Sequence, residues 1–135
     1  MDKFDVLVIG SGSGMLIAST AVGSGLRTAV VENGPMGGTC LNRGCVPSKM
    51  LIYPADVVST IDAAQRLGVD ATVKSVDFQN IINRMRALVN GDSSTQARAV
   101  DATQGLTWFK ETGKFVSDYT MQIGAQTVTA ERIFI

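Results

Sequence analysis

The stretch Phe4-Asp-Val-Leu-Val-Ile-Gly-Ser-Gly-Ser-Gly14 decides the fold of this chain, because it joins a short apolar run directly to a glycine-rich turn. The run Phe4–Ile9 ends at glycine, as expected of a buried parallel strand. Met15–Val22 then spaces its apolar residues as a helix does, and Thr28–Val31 is a second apolar run, closed by Glu32. Strand, glycine turn, helix and strand in this order predict a βαβ unit with a right-handed crossover.

Helical segments are predicted after the region that contains the cysteines. Val46–Leu67 has a helical pattern, and Pro54 predicts a kink or a new helix start there, because proline lacks a backbone N–H and clashes with the preceding turn. Asp77 is a candidate N-cap for an amphipathic helix that Gly91 is expected to end. A further, more polar helix is expected over residues 93–104.

The C-terminal part of the chain changes from helix to strand. Leu106–Phe109 predicts one strand, and Lys114–Ser117, Thr120–Ile123 and Thr127–Ile135 follow at hairpin spacing. The expected fold class is therefore α/β, a Rossmann-like FAD/NAD(P)-binding fold with a parallel sheet, flanking helices and a small antiparallel β-meander. The chain stops within an expected core strand, so we expect a truncated domain.

Composition argues against several classes of protein. The 135 residues carry no net charge, so no overall field would attract nucleic acid or an anionic membrane. Val6–Ile9 is too short to span a bilayer, and Asp2 and Asp5 stand where a signal peptide would be positively charged. We therefore predict a cytoplasmic protein. The chain has no histidine, so any histidine acid–base catalyst must come from elsewhere.

The glycine turn has the features of a dinucleotide-binding loop. Gly10, Gly12 and Gly14 let the backbone approach a pyrophosphate, whose charge the N–H groups at a helix start can hold. Glu32 follows Gly10 by 22 residues, where an acidic residue binds ribose hydroxyls. The strict motif has a glycine at position 15, where this chain has Met15. We expect either that Gly14 takes the packing role of that glycine or that the turn is one residue shorter.

Cys40 and Cys45 are the only cysteines of the chain. On a regular helix, residues five apart are separated by about 7.5 Å of rise, which exceeds the Cα separation of a disulfide. A bridge would therefore need distorted backbone, which Gly44 favours. A redox-active pair is the leading interpretation, with core thiols, a structural disulfide or a metal site as alternatives. A nearby helix start and the charges of Arg43 and Lys49 are expected to favour thiolate.

The segment Gly37-Gly-Thr-Cys-Leu-Asn-Arg-Gly-Cys-Val-Pro-Ser-Lys49 resembles the redox signature of class I pyridine nucleotide-disulfide oxidoreductases. This family of flavoprotein disulfide reductases includes dihydrolipoamide dehydrogenase and glutathione, mycothione and mercuric reductases. The resemblance implies that residues 1–135 are the N-terminal portion of an FAD-binding domain, without the NAD(P)-binding and dimerisation domains. The intact enzyme would be a homodimer that uses FAD and NAD(P)H on a small-molecule or lipoyl-type disulfide or dithiol. Dihydrolipoamide dehydrogenase and mycothione reductase are the most similar branches.

The resemblance also implies a role for each matching residue. Cys40 would exchange with substrate, and Cys45 would face the flavin. Glu32 would bind the adenosine ribose, and Lys49 would approach the isoalloxazine ring. The remaining positions would contact FAD through small residues: Gly10, Gly12 and Gly14 under the pyrophosphate, Gly37, Gly38 and Thr39 on the flavin side, and Gly113 near the adenine. The histidine base would come from the partner subunit, and no metal site is expected.

Two other functions stay open at the level of sequence. The chain could be a non-catalytic FAD-binding or thiol redox-sensing module, or an ordinary NAD-dependent dehydrogenase domain with a coincidental cysteine signature. Flavin absorbance in the purified protein would exclude the dehydrogenase domain. A reading frame that continues past residue 135 would favour the disulfide reductase over the module.

Overall fold

The computed structural model describes all of residues 1–135, which form two compact units. The first unit comprises Met1–Gly38 and Ser93–Ile135, and the second comprises Thr39–Asp92. Six strands form the sheet of the first unit: β1 (Asp2–Ile9), β2 (Thr28–Val31), β3 (Leu106–Phe109), β4 (Gly113–Ser117), β5 (Thr120–Ile123) and β6 (Gln126–Phe134). Their order across the sheet is β3-β2-β1-β6-β5-β4.

The sheet combines a parallel half and an antiparallel half. Strand β1 pairs in parallel with β2 and β6, and β2 pairs in parallel with β3. Strands β4, β5 and β6 form the expected antiparallel meander. Strand β6 joins the halves, because residues 126–129 pair with β5 while residues 128–134 pair with β1. The predicted α/β fold, with its parallel sheet and small meander, is confirmed.

Neighbouring residues at the end of β1 pack into separate hydrophobic clusters. Leu7 belongs to one with residues of β5 and β6, whereas Val6 and Val8 belong to another with α1 (Gly14–Gly23). Leu7 and Val8 are fully buried. Burial of both sets explains why the last four residues of β1, Val6–Ile9, are all apolar, as in other parallel strands covered on both faces. The sheet thus fixes the position of the turn that connects β1 to α1.

Helices α2 (Gly38–Arg43) and α3 (Cys45–Ala63) follow β2, and a 3₁₀ turn over Ala64–Leu67 extends α3. Of the two alternatives expected at Pro54, a kink or a new helix start, the new helix start is excluded, because α3 runs through Pro54 as one helix. Proline removes one backbone hydrogen bond, and the helical turns on both sides of it are retained. Gly68 then ends the segment in the left-handed conformation, with φ of 78°.

Helix α4 (Phe78–Ala102) begins as predicted but ends later. The Asp77 carboxylate accepts a hydrogen bond from the Asn80 N–H at 2.9 Å, which confirms the predicted N-cap. The expected end at Gly91 is wrong, since α4 includes both Gly91 and residues 93–102 of the helix expected separately over 93–104. A glycine costs a helix interior only about 1 kcal/mol, which the helical residues on either side outweigh. No helix in the structure has both the length and the apolar character needed to cross a membrane.

Candidate dinucleotide and dithiol sites

The glycine turn after β1 depends on glycine at both of its ends. Gly10 has φ of 92°, a left-handed conformation, and its N–H donates to the Val31 carbonyl at 2.8 Å. Gly14 is the first residue of α1, and a Cβ there would lie 2.6 Å from Val8 Cγ1. Gly14 therefore allows the close packing of helix on strand for which the strict motif uses the glycine at position 15. This agrees with the first of the two sequence-based alternatives, in which Gly14 takes that packing role.

A second glycine pair packs against this turn. Gly37 and Gly38 have φ of 109° and 63°, so both need the conformational freedom of glycine. A Cβ on Gly38 would lie 2.6 Å from Gly12 Cα and 2.9 Å from Gly12 N. The two backbones are therefore in direct contact, and any side chain at Gly38 would separate them.

Ser11, which the sequence interpretation missed, connects these glycines to Glu32. Ser11 is 1% exposed, and its hydroxyl donates to Glu32 Oε2 at 2.8 Å. The same hydroxyl oxygen accepts from the N–H groups of Gly37 at 3.0 Å and Gly38 at 3.2 Å. The only sequence feature that could have indicated Ser11 was a small hydroxyl side chain between two glycines of the turn. Its hydrogen-bond partners are distant in sequence, so the sequence does not reveal them.

Glu32 follows the last residue of β2, and its carboxylate is held by several donors. Oε2 accepts from the Ser11 N–H at 3.0 Å as well as from the hydroxyl, and Oε1 accepts from the Gly34 N–H at 2.8 Å. The Glu32 carbonyl also accepts from the Trp108 indole N–H at 3.2 Å. The carboxylate is thus fixed at the carboxyl end of the parallel strands, where ligands of open α/β sheets bind.

The structure tests whether these residues fit the adenosine diphosphate half of FAD. A Cβ built on Gly10 meets no atom within 4 Å, so the space beside that backbone is open. The first turn of α1 carries no acidic residue that would repel a phosphate. Together with the Glu32 carboxylate beside the turn, these features fit a pyrophosphate and a ribose.

Gly113 lies near the same end of the sheet. The preceding residue, Thr112, accepts a hydrogen bond at 2.8 Å from the Asn33 amide, and Asn33 directly follows Glu32. A Cβ on Gly113 would collide with the side chain of Met121. Gly113 is therefore closely packed against the Met121 side chain, which would have to move to accept a larger residue here, in addition to the adenine contact that the resemblance implies.

In the second unit, Cys40 and Cys45 lie on either side of a helix break. Helix α2 ends at Arg43, Gly44 leaves helical geometry with φ of −132° and ψ of −110°, and α3 begins at Cys45. Both cysteines are exposed, and they are present as free thiols. A Cβ on Gly44 would lie 3.1 Å from the Thr39 carbonyl oxygen, so this break is closely packed. The break is the backbone distortion that the cysteine spacing required.

The thiols interact directly, which decides the direction of the Cys40 pKa. A side-chain hydrogen bond with Cys45 raises the pKa of the Cys40 thiol above its ordinary value, and lost solvation and repulsion from a Cys45 charge add to this. A backbone hydrogen bond from Cys45 and, to a smaller extent, the positive charge of Lys49 oppose the rise but do not outweigh it. The expected effect of Lys49 in favour of thiolate is therefore present at Cys40, but the hydrogen bond with the neighbouring Cys45 thiol outweighs it and the net pKa shift is upward.

The remaining predicted residues of the second unit are exposed. Thr39 lies in α2, and its carbonyl oxygen faces Gly44. Lys49 lies in α3, close enough for its charge to act on Cys40. The structure therefore groups the predicted positions into a dinucleotide site in the first unit and a dithiol site in the second. No cluster of three or more histidine, cysteine, aspartate or glutamate residues could hold a metal ion.

The fold and the two candidate sites together define a dinucleotide-binding α/β protein that carries an exposed pair of thiols. The family model described as pyridine nucleotide-disulphide oxidoreductase matches residues 4–135. The chain therefore belongs to the pyridine nucleotide-disulphide oxidoreductase family. FAD is the cofactor of this family, and NAD(P) is used by the full-length enzymes, in agreement with the predicted cofactors.

Relatives within the family have several different activities. The chain is 39% identical to a dihydrolipoyl dehydrogenase of Chlamydia pneumoniae over 94% of its own length and 28% of that protein. It is 42% identical to a mycothione reductase of Mycobacterium tuberculosis over 63% of its length and 18% of that protein. It is 27% identical to a mercuric reductase of Lysinibacillus sphaericus over 99% of its length and 25% of that protein. The chain thus spans less than a third of the length of these relatives.

A solved structure has the same fold. The Cu(II) complex of the HOCl-induced flavoprotein disulfide reductase RclA from Escherichia coli aligns at a TM-score of 0.81. The alignment covers 100% of this chain and 28% of the RclA chain. The sequence identity is 24%, so this likeness concerns the fold.

Proposed function

We propose that this chain is the N-terminal part of the FAD-binding domain of a dihydrolipoyl dehydrogenase-like dithiol/disulfide oxidoreductase. The observation that carries the proposal is the hydrogen-bonded, exposed pair Cys40 and Cys45 at a helix break. The family membership and the 39% identity to a dihydrolipoyl dehydrogenase support it. In the intact enzyme, a homodimer that we place in the cytoplasm, the NAD(P)-binding and dimerisation domains would lie outside these residues.

Residues of the first unit would hold the adenosine diphosphate half of the cofactor. Backbone N–H groups of the turn at Gly10–Gly14 would bind the pyrophosphate, and the Glu32 carboxylate would accept hydrogen bonds from ribose hydroxyls. Gly37, Gly38, Thr39 and Lys49 are proposed for the flavin side, and Gly113 for the adenine. When bound, FAD supplies two-electron transfer between NAD(P)H and the cysteine pair.

The dithiol would reduce an external disulfide by two successive exchanges. The Cys40 thiol loses its proton, and its sulfur attacks one sulfur of the substrate, forming a mixed disulfide and releasing the first substrate thiolate. Cys45 then loses its proton and attacks the Cys40 sulfur, forming the Cys40–Cys45 disulfide and releasing the second thiolate. The two released thiolates take up two protons, so the substrate gains two electrons and the cysteine pair loses two. Oxidation of a dihydrolipoyl group is the reverse reaction.

Proton transfer is the step for which this chain lacks an obvious group. The raised pKa of Cys40 keeps its proton on sulfur near neutral pH, so a base would accelerate the exchange. The 135 residues include no histidine. We therefore propose that the base is supplied by a residue outside them, in the partner subunit of the homodimer.

The proposal is tested by trapping the mixed disulfide. The reduced Cys45→Ser chain, incubated with oxidised lipoamide and then with iodoacetamide, should carry lipoamide covalently attached to Cys40, because the second exchange is blocked and alkylation of the released lipoyl thiol stops it from closing the ring again. The wild-type chain should instead lose two hydrogens in mass as it releases dihydrolipoamide. Peptide mass spectrometry reads out both products.

The matched Cys40→Ser variant tests which of the two thiols exchanges with the substrate. It should form far less adduct than Cys45→Ser, since Cys40 is proposed as the exchanging thiol. Equal or greater trapping on Cys45 would contradict this assignment. Faster trapping with glutathione disulfide than with lipoamide would contradict the lipoyl branch while leaving the dithiol mechanism intact.

A further inference from the structure

The Ser11 hydroxyl uses all of its hydrogen-bonding capacity within the dinucleotide site. A hydroxyl has one donor and two acceptor positions. Here it donates to Glu32 Oε2 at 2.8 Å and accepts from Gly37 at 3.0 Å and Gly38 at 3.2 Å. Ser11 is 1% exposed, so water does not compete for these bonds. One oxygen atom therefore joins three segments of the chain.

These three segments have separate parts in the site. Ser11 belongs to the glycine turn, Glu32 follows β2, and the Gly37–Gly38 pair begins the segment that leads to the dithiol. The pair also lies against Gly12, where any Cβ on Gly38 would come within 2.6 Å of the Gly12 Cα. The absence of side chains at Gly12 and Gly38 allows the two backbones to touch, but directional hydrogen bonds are needed to hold these segments in one arrangement. Those directional bonds converge on the Ser11 hydroxyl.

We propose that Ser11 is a positioning residue of the FAD site, which holds the Glu32 carboxylate and the Gly37–Gly38 turn in the arrangement that receives the dinucleotide. This inference rests on the proposed function for its ligand, whereas the positioning itself is a property of the free chain. The Ser11 backbone N–H also binds Glu32 Oε2, at 3.0 Å, and this bond is retained when the side chain is changed. Loss of the hydroxyl should therefore loosen the carboxylate and the glycine pair without abolishing the site.

The first experiment needs no flavin. Amide hydrogen exchange of the 135-residue chain, followed by NMR, should show the Gly37 and Gly38 amides exchanging on the order of tenfold faster in Ser11→Ala than in wild type. Ser19→Ala is the matched control, because the Ser19 hydroxyl is exposed and bonds only within α1, to the Leu16 carbonyl. Ser11→Gly, which also lacks the hydroxyl, replaces the alanine variant if that variant does not fold. Unchanged exchange at both glycines would overturn the proposal.

The second experiment separates positioning from a general structural role. FAD is titrated into wild type, Ser11→Ala, Glu32→Ala and the double variant, and binding is followed by quenching of flavin fluorescence. Ser11→Ala should weaken binding on the order of tenfold in the wild-type background and by only about two- to threefold when Glu32 is absent. Equal effects in both backgrounds would show that Ser11 does not act through Glu32. Failure of the wild-type chain to bind FAD would contradict the proposal that residues 1–135 suffice to receive the dinucleotide, and amide exchange would still decide the positioning role.

Discussion

Gly14→Ala should destabilise this protein, although alanine is the better helix former. In the structure, a Cβ at position 14 would lie 2.6 Å from Val8 Cγ1, whereas carbon atoms in contact are normally separated by roughly 3.5–4.0 Å. Helix α1 or strand β1 would therefore have to move by roughly 1 Å. Val8 is fully buried, and its β-branched side chain has little rotamer freedom, so it cannot turn away.

The magnitude follows from two opposing contributions. Overpacking of a core costs about 1–3 kcal/mol, and the large displacement places this site in the upper part of that range. The helix propensity of alanine returns up to about 1 kcal/mol. We expect the free energy of unfolding to fall by about 1–2 kcal/mol, which lowers the thermal midpoint by roughly 4–8 °C in a domain of this size.

Thermal unfolding of the flavin-free chain, followed by far-ultraviolet circular dichroism, measures this effect. Gly91→Ala is the matched control, since Gly91 lies within α4 and a Cβ there meets no atom within 4 Å. It should raise the stability by about 1 kcal/mol. In a Val8→Ala background, where the colliding atom is gone, Gly14→Ala should cost little or nothing. If Gly14→Ala and Gly91→Ala shifted the midpoint equally, the packing argument for Gly14 would be refuted.

Three further predictions concern the two sites. Glu32→Ala should weaken FAD binding by roughly 1–3 kcal/mol, because ribose hydroxyls lose their acceptor; an unchanged dissociation constant on titration would mean that another group holds the ribose. Gly44→Ala should slow formation of the Cys40–Cys45 disulfide by oxidised glutathione several-fold, since the new Cβ would lie 3.1 Å from the Thr39 carbonyl oxygen. The rate is measured by mass spectrometry at timed intervals, and an unaltered rate would contradict this prediction. Cys45→Ala should lower the pKa of Cys40, because the hydrogen bond and charge that raise it are removed, so alkylation of Cys40 should begin at lower pH than in wild type; a shift to higher pH would contradict this cause.

The sequence alone determined the parts of this protein that depend on neighbouring residues. The apolar runs of β1 and β2 and the helical spacing between them predicted the βαβ unit, because strand and helix periodicity are local properties. Asp77 was predicted correctly as an N-cap, since its partner is only three residues away. The segment from Gly37 to Lys49 indicated the family, because its spacing and residue types are specific to one chemistry.

Helix α4 shows where a local pattern stops being sufficient. Gly91 has a low helix propensity, yet the residues before and after it continue the helix to Ala102. Strand β6 is a second example, because its pairing with both β1 and β5 depends on strands that are distant in sequence. In both cases the outcome depends on free energies summed over many residues, which no single residue reveals.

Only the tertiary structure decided how the sites are built. The role of Gly14 follows from its distance to Val8 across the helix–strand interface, and that of Ser11 from partners 21 to 27 residues further along the chain. The direction of the Cys40 pKa shift likewise depends on the hydrogen bond with Cys45 outweighing the charge of Lys49. Steric contacts, hydrogen bonds and charge interactions act over a few ångströms in space, and folding alone brings such residues to those distances.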